Sequence, residues 1–202
     1  MVKWFLDGGA FMWPILATMV IGLVLVIVKL FVVLTRRSNA GLLLQNIKKA
    51  VAMGDDAAAL KACDSDKPVE SVLYAGIKNR RYGLDQVEKA MANEGSVQST
   101  YLENGQVWIT LMIGLAPMLG FLGTVWGMVD AMNAIEAAND ISPAVVAGGI
   151  AQALITTAFG LIVAIACQTL QNLVLSFSDG IVLTMEESSV ALMDMLMENE
   201  AK

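Results

Sequence analysis

The chain has 202 residues, of which 56% are hydrophobic, and a mean hydropathy of +0.64. These values exclude an ordinary soluble domain, because the apolar residues are gathered into long runs. The net charge of −6 argues against a nucleic-acid-binding protein. The sequence contains no histidine, so any proton transfer must use carboxylates, water or a partner protein. The two cysteines, Cys63 and Cys167, lie in segments of different polarity and predict neither a disulfide framework nor a metal site.

The first apolar run predicts a transmembrane helix. It covers residues 11–35 and follows a short interfacial segment, residues 1–10. About 20 apolar residues are enough to cross the hydrocarbon core of a bilayer. Arg36 and Arg37 come directly after the run, and more Lys and Arg residues follow them. By the positive-inside rule, the N-terminus is therefore expected outside and the following region in the cytoplasm.

Residues 36–106 predict a cytoplasmic region made of short helices. Pro68 is placed to open one of them, since proline is favoured in the first helical turn. Asp85 and Glu88 have the spacing of a capping box at the start of another. No proline lies between that point and Pro117. We therefore expect one uninterrupted helix that begins near Asp85 and continues through the second apolar run.

The second apolar run, residues 107–135, predicts span two and carries a stripe of small residues. Such a stripe lets another helix approach closely. The hydroxyl group within it either bonds to its own helix backbone in a packing seam or lines a polar path. The residues of the stripe are Ala116, Gly120, Thr124, Gly127 and Ala131, and Pro117 and Gly123 lie beside it.

A short turn, residues 136–142, leads to span three in residues 143–177. At about 50 Å, a helix of this length exceeds the roughly 30 Å hydrocarbon core. We therefore expect it to continue into the cytoplasm, where residues 178–202 form an amphipathic helix. A second small stripe consists of Gly149, Ala153, Thr157, Gly160 and Ala164, with Gln152 and Thr156 beside it.

The two stripes are expected to need partners. Spans two and three are predicted to pack on each other or on copies in neighbouring subunits. We expect that one subunit alone cannot bury both faces, and hence that the protein forms a homo-oligomer.

Two motifs resemble the ExbB/TolQ/MotA proton-channel family. They are A-P-M-L-G-F-L-G-T-V-W-G-M in span two and G-I-A-Q-A-L-I-T-T-A-F-G-L in span three. The segment G-G-A-F-M-W-P-I at the start of span one is also similar to ExbB-type members, so the resemblance covers all three spans in order and is nearest to the three-span ExbB and TolQ type. It implies a pentamer in the bacterial inner membrane, with a dimer of an ExbD/TolR-like single-span partner in its pore. It also implies that the partner supplies an aspartate and that Thr124 and Thr157 are the pore threonines.

The chain departs from the family pattern at two positions. Gln152 stands where ExbB and TolQ carry a glutamate, and glutamine cannot ionise. Thr156 precedes Thr157, a pairing that resembles sodium-driven stators. The coupling ion is therefore left open between H⁺ and Na⁺, with a transient Na⁺ site near the paired threonines as one alternative. The ion-pathway candidates are Thr124, Thr157, Thr156 and Gln152; the helix-packing candidates are Ala116, Pro117, Gly120, Gly123, Gly127, Gly149, Ala153 and Gly160.

The sequence is thus interpreted as an all-α integral membrane protein with three transmembrane helices, the last two extended into a cytoplasmic helical region. The expected function is that of a stator subunit that couples ion-motive force to mechanical work. The alternative is a non-conducting scaffold of the same fold. No nucleophile–base pair or phosphate loop is present, so we expect neither enzymatic activity nor a cofactor. The load stays open between a TonB-type importer, a Tol-type envelope system and a gliding-type machine.

Overall fold

The chain is all-helical in a computed structural model that describes residues 2–53, 55–63, 66–139 and 142–200. No β-strand occurs within these ranges. Among the described residues, three helical stretches are long and apolar enough to cross a membrane: Met12–Ala52, Leu84–Ala138 and Pro143–Asn199. This confirms the predicted fold class.

The helices are numbered along the chain. A single turn of 3-10 helix, Arg80–Tyr82, separates the fifth from the sixth. The α-helices are α1 (Val2–Asp7), α2 (Met12–Thr35), α3 (Ala40–Ala52), α4 (Asp56–Ala62), α5 (Pro68–Asn79), α6 (Leu84–Glu103), α7 (Gln106–Ala138) and α8 (Pro143–Glu200).

Two compact units share these helices. The apolar unit consists of the residues up to Lys29 together with Gly105–Leu173. The polar unit consists of Leu30–Asn104 together with the residues from Val174 onward. Helix α8 is unbroken over 58 residues and contributes to both units. The prediction that the third apolar run continues as a helix beyond the span is confirmed.

The second apolar run does not continue the preceding helix. Asn104 has an extended backbone (ψ 131°), and Gly105 adopts a left-handed conformation with φ +88°. A residue with a side chain is strained at that φ, so glycine is suited to the position. The break separates α6 from α7, and the prediction of one uninterrupted helix is wrong.

Two predicted helix boundaries also differ from the structure. Gly83 is the residue that precedes α6, so Asp85 lies inside the first turn and does not cap the helix. Its carboxylate instead pairs with Lys89 one turn later, at 2.7 Å. Helix α7 extends to Ala138, and Asn139 ends it in a left-handed conformation (φ +48°). The turn is therefore shorter than the predicted residues 136–142.

Helices α7 and α8 approach each other through their small residues. A methyl group at Gly160 would lie 2.6 Å from the carbonyl oxygen of Ala116. At the other end of the contact, a methyl group at Gly149 would lie 2.6 Å from the carbonyl oxygen of Gly127. The pairing runs in opposite directions along the two helices, so they are antiparallel. Only hydrogen fits at these positions.

The small residues of the two stripes therefore pack on each other within one subunit, with one difference from the predicted stripe: Gly123, and not Thr124, lies against α8 in the middle of the contact. The expectation that one subunit cannot bury both is wrong, because glycine and alanine on both helices bring the backbones close enough to close the seam. The alternative in which the two spans pack together is the one observed.

Helix α2 completes the apolar unit. Its Ile15 is buried in a cluster with Ala116 of α7 and with Val163 and Cys167 of α8. Farther along α2, a methyl group at Gly22 would lie 3.1 Å from the Cys167 sulfur. The apolar unit is thus a three-helix bundle in which α2 covers one side of the α7–α8 pair.

The polar unit has its own core. Ile47 of α3, Leu73 of α5 and Val87 of α6 are fully buried. The C-terminal half of α8 contributes Leu192 and Leu196, which are also fully buried. The predicted amphipathic face of this segment is confirmed.

The adjacent glycines of α8 provide a direct test of the seam. Gly149→Ala should lower the free energy of unfolding by about 1–3 kcal/mol, because the added methyl group meets the backbone of α7. Gly148→Ala should leave it unchanged or raise it slightly, since open space surrounds that position. Unfolding in mixed detergent micelles measures both variants. Equal effects of the two substitutions would contradict the packing described.

Candidate functional site

Thr124 lies on the side of α7 that borders a shallow groove of about 510 Å³. The side chain is partly exposed, and its hydroxyl donates a hydrogen bond to the Phe121 carbonyl of the same helix. The oxygen can still accept hydrogen bonds or contact a cation. The groove thus presents one hydroxyl among mainly apolar side chains: Phe121, Val125, Met128, Val129 and Met132, with Asn133 at one end.

Thr157 links the two helices. Its hydroxyl donates a hydrogen bond to the Gly120 carbonyl of α7 at 3.1 Å. Gly120 precedes Thr124 by four residues, about one helical turn. The structure therefore places the Thr157 hydroxyl about one turn from Thr124 along α7. Its side chain is partly buried.

Thr156 occupies a different position from its neighbour Thr157. Its side chain is fully buried, and its hydroxyl donates to the Ala153 carbonyl at 2.9 Å and the Gln152 carbonyl at 3.1 Å. A methyl group at Gly123 would lie 2.7 Å from the Thr156 oxygen, so this side chain fills the space left by that glycine. Consecutive helical residues point about 100° apart, so only one of the two threonines can fill the seam in this way.

Gln152 contacts the turn between α1 and α2. A methyl group at Gly9 would lie 2.7 Å from the Gln152 side-chain nitrogen. Gly9 has φ +70°, and Gly8 before it is buried. The amide of Gln152 thus lies against the N-terminal segment. Our sequence interpretation missed this contact, although the Gly8-Gly9 pair is a turn signal that could have drawn attention to the segment.

The packing candidates all lie on α7 and α8. Pro117 is inside α7, where it leaves the carbonyl four residues earlier without its helical partner. It is only partly buried and lies next to the contact between the helices. The other candidates form the seam: Ala116, Gly120, Gly123 and Gly127 from α7, and Gly149, Ala153 and Gly160 from α8.

A second polar link between α7 and α8 was not predicted. Gln171 is 5% exposed and donates a hydrogen bond to the Thr110 hydroxyl at 2.8 Å. Gln106 is also within reach of the same amide, at 3.5 Å. The sequence shows the polar residues but not their pairing, because the register of two helices depends on the seam between them.

Carboxylates are placed away from the seam. Asp7, Asp130 and Glu136 are the acidic residues of the apolar unit within the described ranges, and all three are exposed. No group of three or more Cys, Asp or Glu side chains suited to a metal ion occurs among the described residues. The polar side chains that link α7 and α8 are therefore hydroxyls and amides, which bond to each other or to backbone carbonyls.

Comparison with known proteins identifies a family. Residues 64–187 match the MotA/TolQ/ExbB proton channel family, which is more than half of the chain. The matched segment includes all of α7, the α7–α8 seam and the four ion-pathway candidates.

Individual relatives agree with this match. The chain is 40% identical to the biopolymer transport protein ExbB of Xanthomonas campestris, over 39% of this chain and 31% of that protein. It is 32% identical to the Tol-Pal system protein TolQ of Haemophilus influenzae, over 46% of this chain and 54% of that protein. A putative biopolymer transport protein ExbB homologue from Methanothermobacter thermautotrophicus is 28% identical, over 85% of this chain and 61% of that protein. The chain thus spans less than two thirds of the length of each of these relatives.

The threonine hydrogen bonds predict different effects on stability. Thr157→Val should lower the free energy of unfolding by about 0.6–1 kcal/mol, because it removes a hydrogen bond between helices. Thr124→Val should change it by less than about 0.5 kcal/mol, since that hydroxyl bonds only within α7. Unfolding in mixed micelles separates the two. A larger loss for Thr124→Val than for Thr157→Val would contradict the assigned geometry.

Proposed function

This chain belongs to the MotA/TolQ/ExbB proton channel family, and on that premise we propose that it is an ion-conducting stator subunit of a membrane motor. The observation that carries the proposal is the Thr124 groove on α7. It places a hydroxyl on a surface that the subunit itself leaves uncovered. The Phe121 carbonyl already accepts the hydrogen of this hydroxyl, and the acceptor capacity left on the oxygen suits a protein interior or a water-filled space better than lipid.

Thr157 supports the same path. Its hydroxyl lies about one turn from Thr124 and is held in place by the Gly120 carbonyl. Two oxygens fixed along one stretch of the α7–α8 pair can exchange hydrogen bonds with a passing water or ion. Gln152 and Thr156 would lie beside this path without lining it directly. Gln152 packs against the N-terminal turn, and Thr156 is buried within the seam.

The carboxylate that the path needs would come from another protein. The acidic residues of the apolar unit are exposed and lie away from the seam. We therefore propose that an ExbD/TolR-like partner with a single transmembrane helix brings an aspartate to the groove. The neighbouring exposed side chains of Phe121 (68%), Val125 and Met128 suit contact with such a helix.

Several copies are needed to enclose that partner. A groove on one face of α7 covers only one side of a helix, so a ring of subunits is required to exclude lipid from the ion path. We propose a pentamer around a partner dimer. It would lie in the bacterial inner membrane with the N-terminus outside and the polar unit in the cytoplasm, the side indicated by Arg36 and Arg37.

The threonines test the proposal. With the partner reconstituted in liposomes, Thr124→Val and Thr157→Val should each reduce ion flux at least about tenfold while the complex still assembles, because valine keeps the shape and removes the oxygen. Thr169→Val is the matched control, since the Thr169 hydroxyl is exposed and bonds to its own helix. A fluorescent pH indicator and co-purification of the partner measure flux and assembly.

A normal flux in both variants would contradict the proposed ion path and leave the threonines as packing residues. No flux in the wild-type complex, with assembly intact, would favour the non-conducting scaffold.

The coupling ion is a separate part of the proposal. Gln152 cannot carry a proton, and Thr156 adds an oxygen next to Thr157, so we propose that the complex accepts Na⁺ as well as H⁺. Because Thr156 is fully buried between the helices, a cation there would require the seam to open locally.

Sodium dependence tests this part. Flux or motor output should rise with Na⁺ at constant pH, and Thr156→Ala should weaken the rise. Thr156→Ser keeps the oxygen and should preserve it, which separates the loss of a ligand from the loss of a methyl group. An output that follows only the proton gradient when K⁺ replaces Na⁺ would contradict sodium coupling.

A further inference from the structure

A groove in the polar unit has the features of a binding site for a helix. It lies between α6 and the C-terminal half of α8 and has a volume of about 780 Å³. On the α6 side it is bordered by small residues spaced three or four apart, so that they share one face: Ala92, Gly95, Ser96 and Ser99. The α8 side is mainly apolar and rich in methionine, with one carboxylate and one hydroxyl: Val182, Met185, Val190, Met193 and Met197, together with Glu186 and Ser189.

Within the part of the chain that the structure describes, the small face of α6 is open at Gly95. A methyl group at Gly95 would meet no atom of another element within 4 Å, whereas methyl groups at Gly120 and Gly127 of α7 would meet the backbone of α8. On α7, a stripe of small residues brings a neighbouring helix close. On α6, the same pattern borders open space. Methionine side chains next to it can adapt to the surface of an incoming helix.

The charge around the groove indicates which helix would bind. Glu88 of α6 and Glu186 of α8 both border it and are exposed. No Lys or Arg occurs between Lys89 and Lys202, and Lys89 itself pairs with Asp85. The α8 side of the groove thus contains no positive charge. A positively charged helix would find complementary charge there, and an acidic one would be repelled.

We propose that this groove binds a basic amphipathic helix of a partner protein. The partner helix would place its apolar face over Gly95 and the methionines and its Lys or Arg residues beside Glu88 and Glu186. This mode of recognition is that of an amphipathic helix in a hydrophobic groove. It is independent of the proposed ion path, which lies in the apolar unit.

Peptide binding tests the shape of the groove. The probe is a fluorescent amphipathic helix of about 18 residues built from Leu, Ala and Lys, and the target is the full chain in zwitterionic nanodiscs. The Lys peptide should bind, and Gly95→Leu should weaken binding at least about tenfold by filling the groove. Gly180→Leu is the matched control, because that glycine is also surrounded by open space but lies outside the groove.

Charge substitutions test the specificity. A peptide with Glu in place of Lys should bind at least about tenfold more weakly than the Lys peptide. Glu186→Gln should weaken binding of the Lys peptide several-fold at low salt, and its neighbour Glu187→Gln, outside the groove, should not. Equal behaviour of Gly95→Leu and Gly180→Leu, or equal binding of the two peptides, would overturn the proposal.

A second copy of the chain is the competing occupant. A cysteine introduced at Ser99 can be cross-linked in the absence of peptide. Burial raises the pKa of the native Cys63 thiol to about 11, which keeps it protonated and poorly reactive near neutral pH. Cross-links between two copies of the chain would show an interface between subunits and overturn the assignment to a different partner. The proposal predicts no such product.

Discussion

The close approach of α7 and α8 is the constraint on which the rest of the apolar unit depends. Apolar side chains gain little from leaving lipid for one another, so membrane helices associate through close packing and hydrogen bonds. In the α7–α8 seam, close packing and a hydrogen bond between the helices occur at the same place. Glycine and alanine bring the backbones into contact, and the Thr157 hydroxyl donates to the Gly120 carbonyl across the seam. A bulkier residue in this seam would separate the two backbones and with them the Thr157 hydroxyl from the Gly120 carbonyl.

Because the small residues pack within the subunit, the surface available to other proteins lies elsewhere on α7. Thr124 belongs to that surface, with Phe121 and Met128 beside it. The polar unit likewise combines a packed core with an open surface. Its core is closed by residues such as Leu73 and Leu192, while a groove between α6 and α8 remains open. In each unit a packed core lies beside a surface proposed for a partner, and in the polar unit the buried Met185 belongs to both.

The sequence was sufficient for the three apolar helices, the long α8 and the small stripes, because these depend on composition and period. It was not sufficient for the break at Gly105, since a glycine in an amphipathic pattern is compatible with either a helix or a turn. The sequence also did not determine which helix packs on each stripe of small residues. Helical periodicity shows which residues share a face of a helix, but it does not show which element covers that face. The same limit applies to Thr156 and Thr157, which are adjacent in sequence but differ in burial.

The central claim is that the Thr124 side of α7 faces water within an assembled complex, and thiol modification tests it most directly. Thr124→Cys, reconstituted with its partner in liposomes, should react with a small charged thiol reagent. Ile162→Cys should not react, since that residue of α8 is 60% exposed in the subunit and is expected to face lipid. The wild-type chain, whose cysteines at 63 and 167 are buried, gives the background. Modification of Ile162→Cys but not of Thr124→Cys would contradict the account.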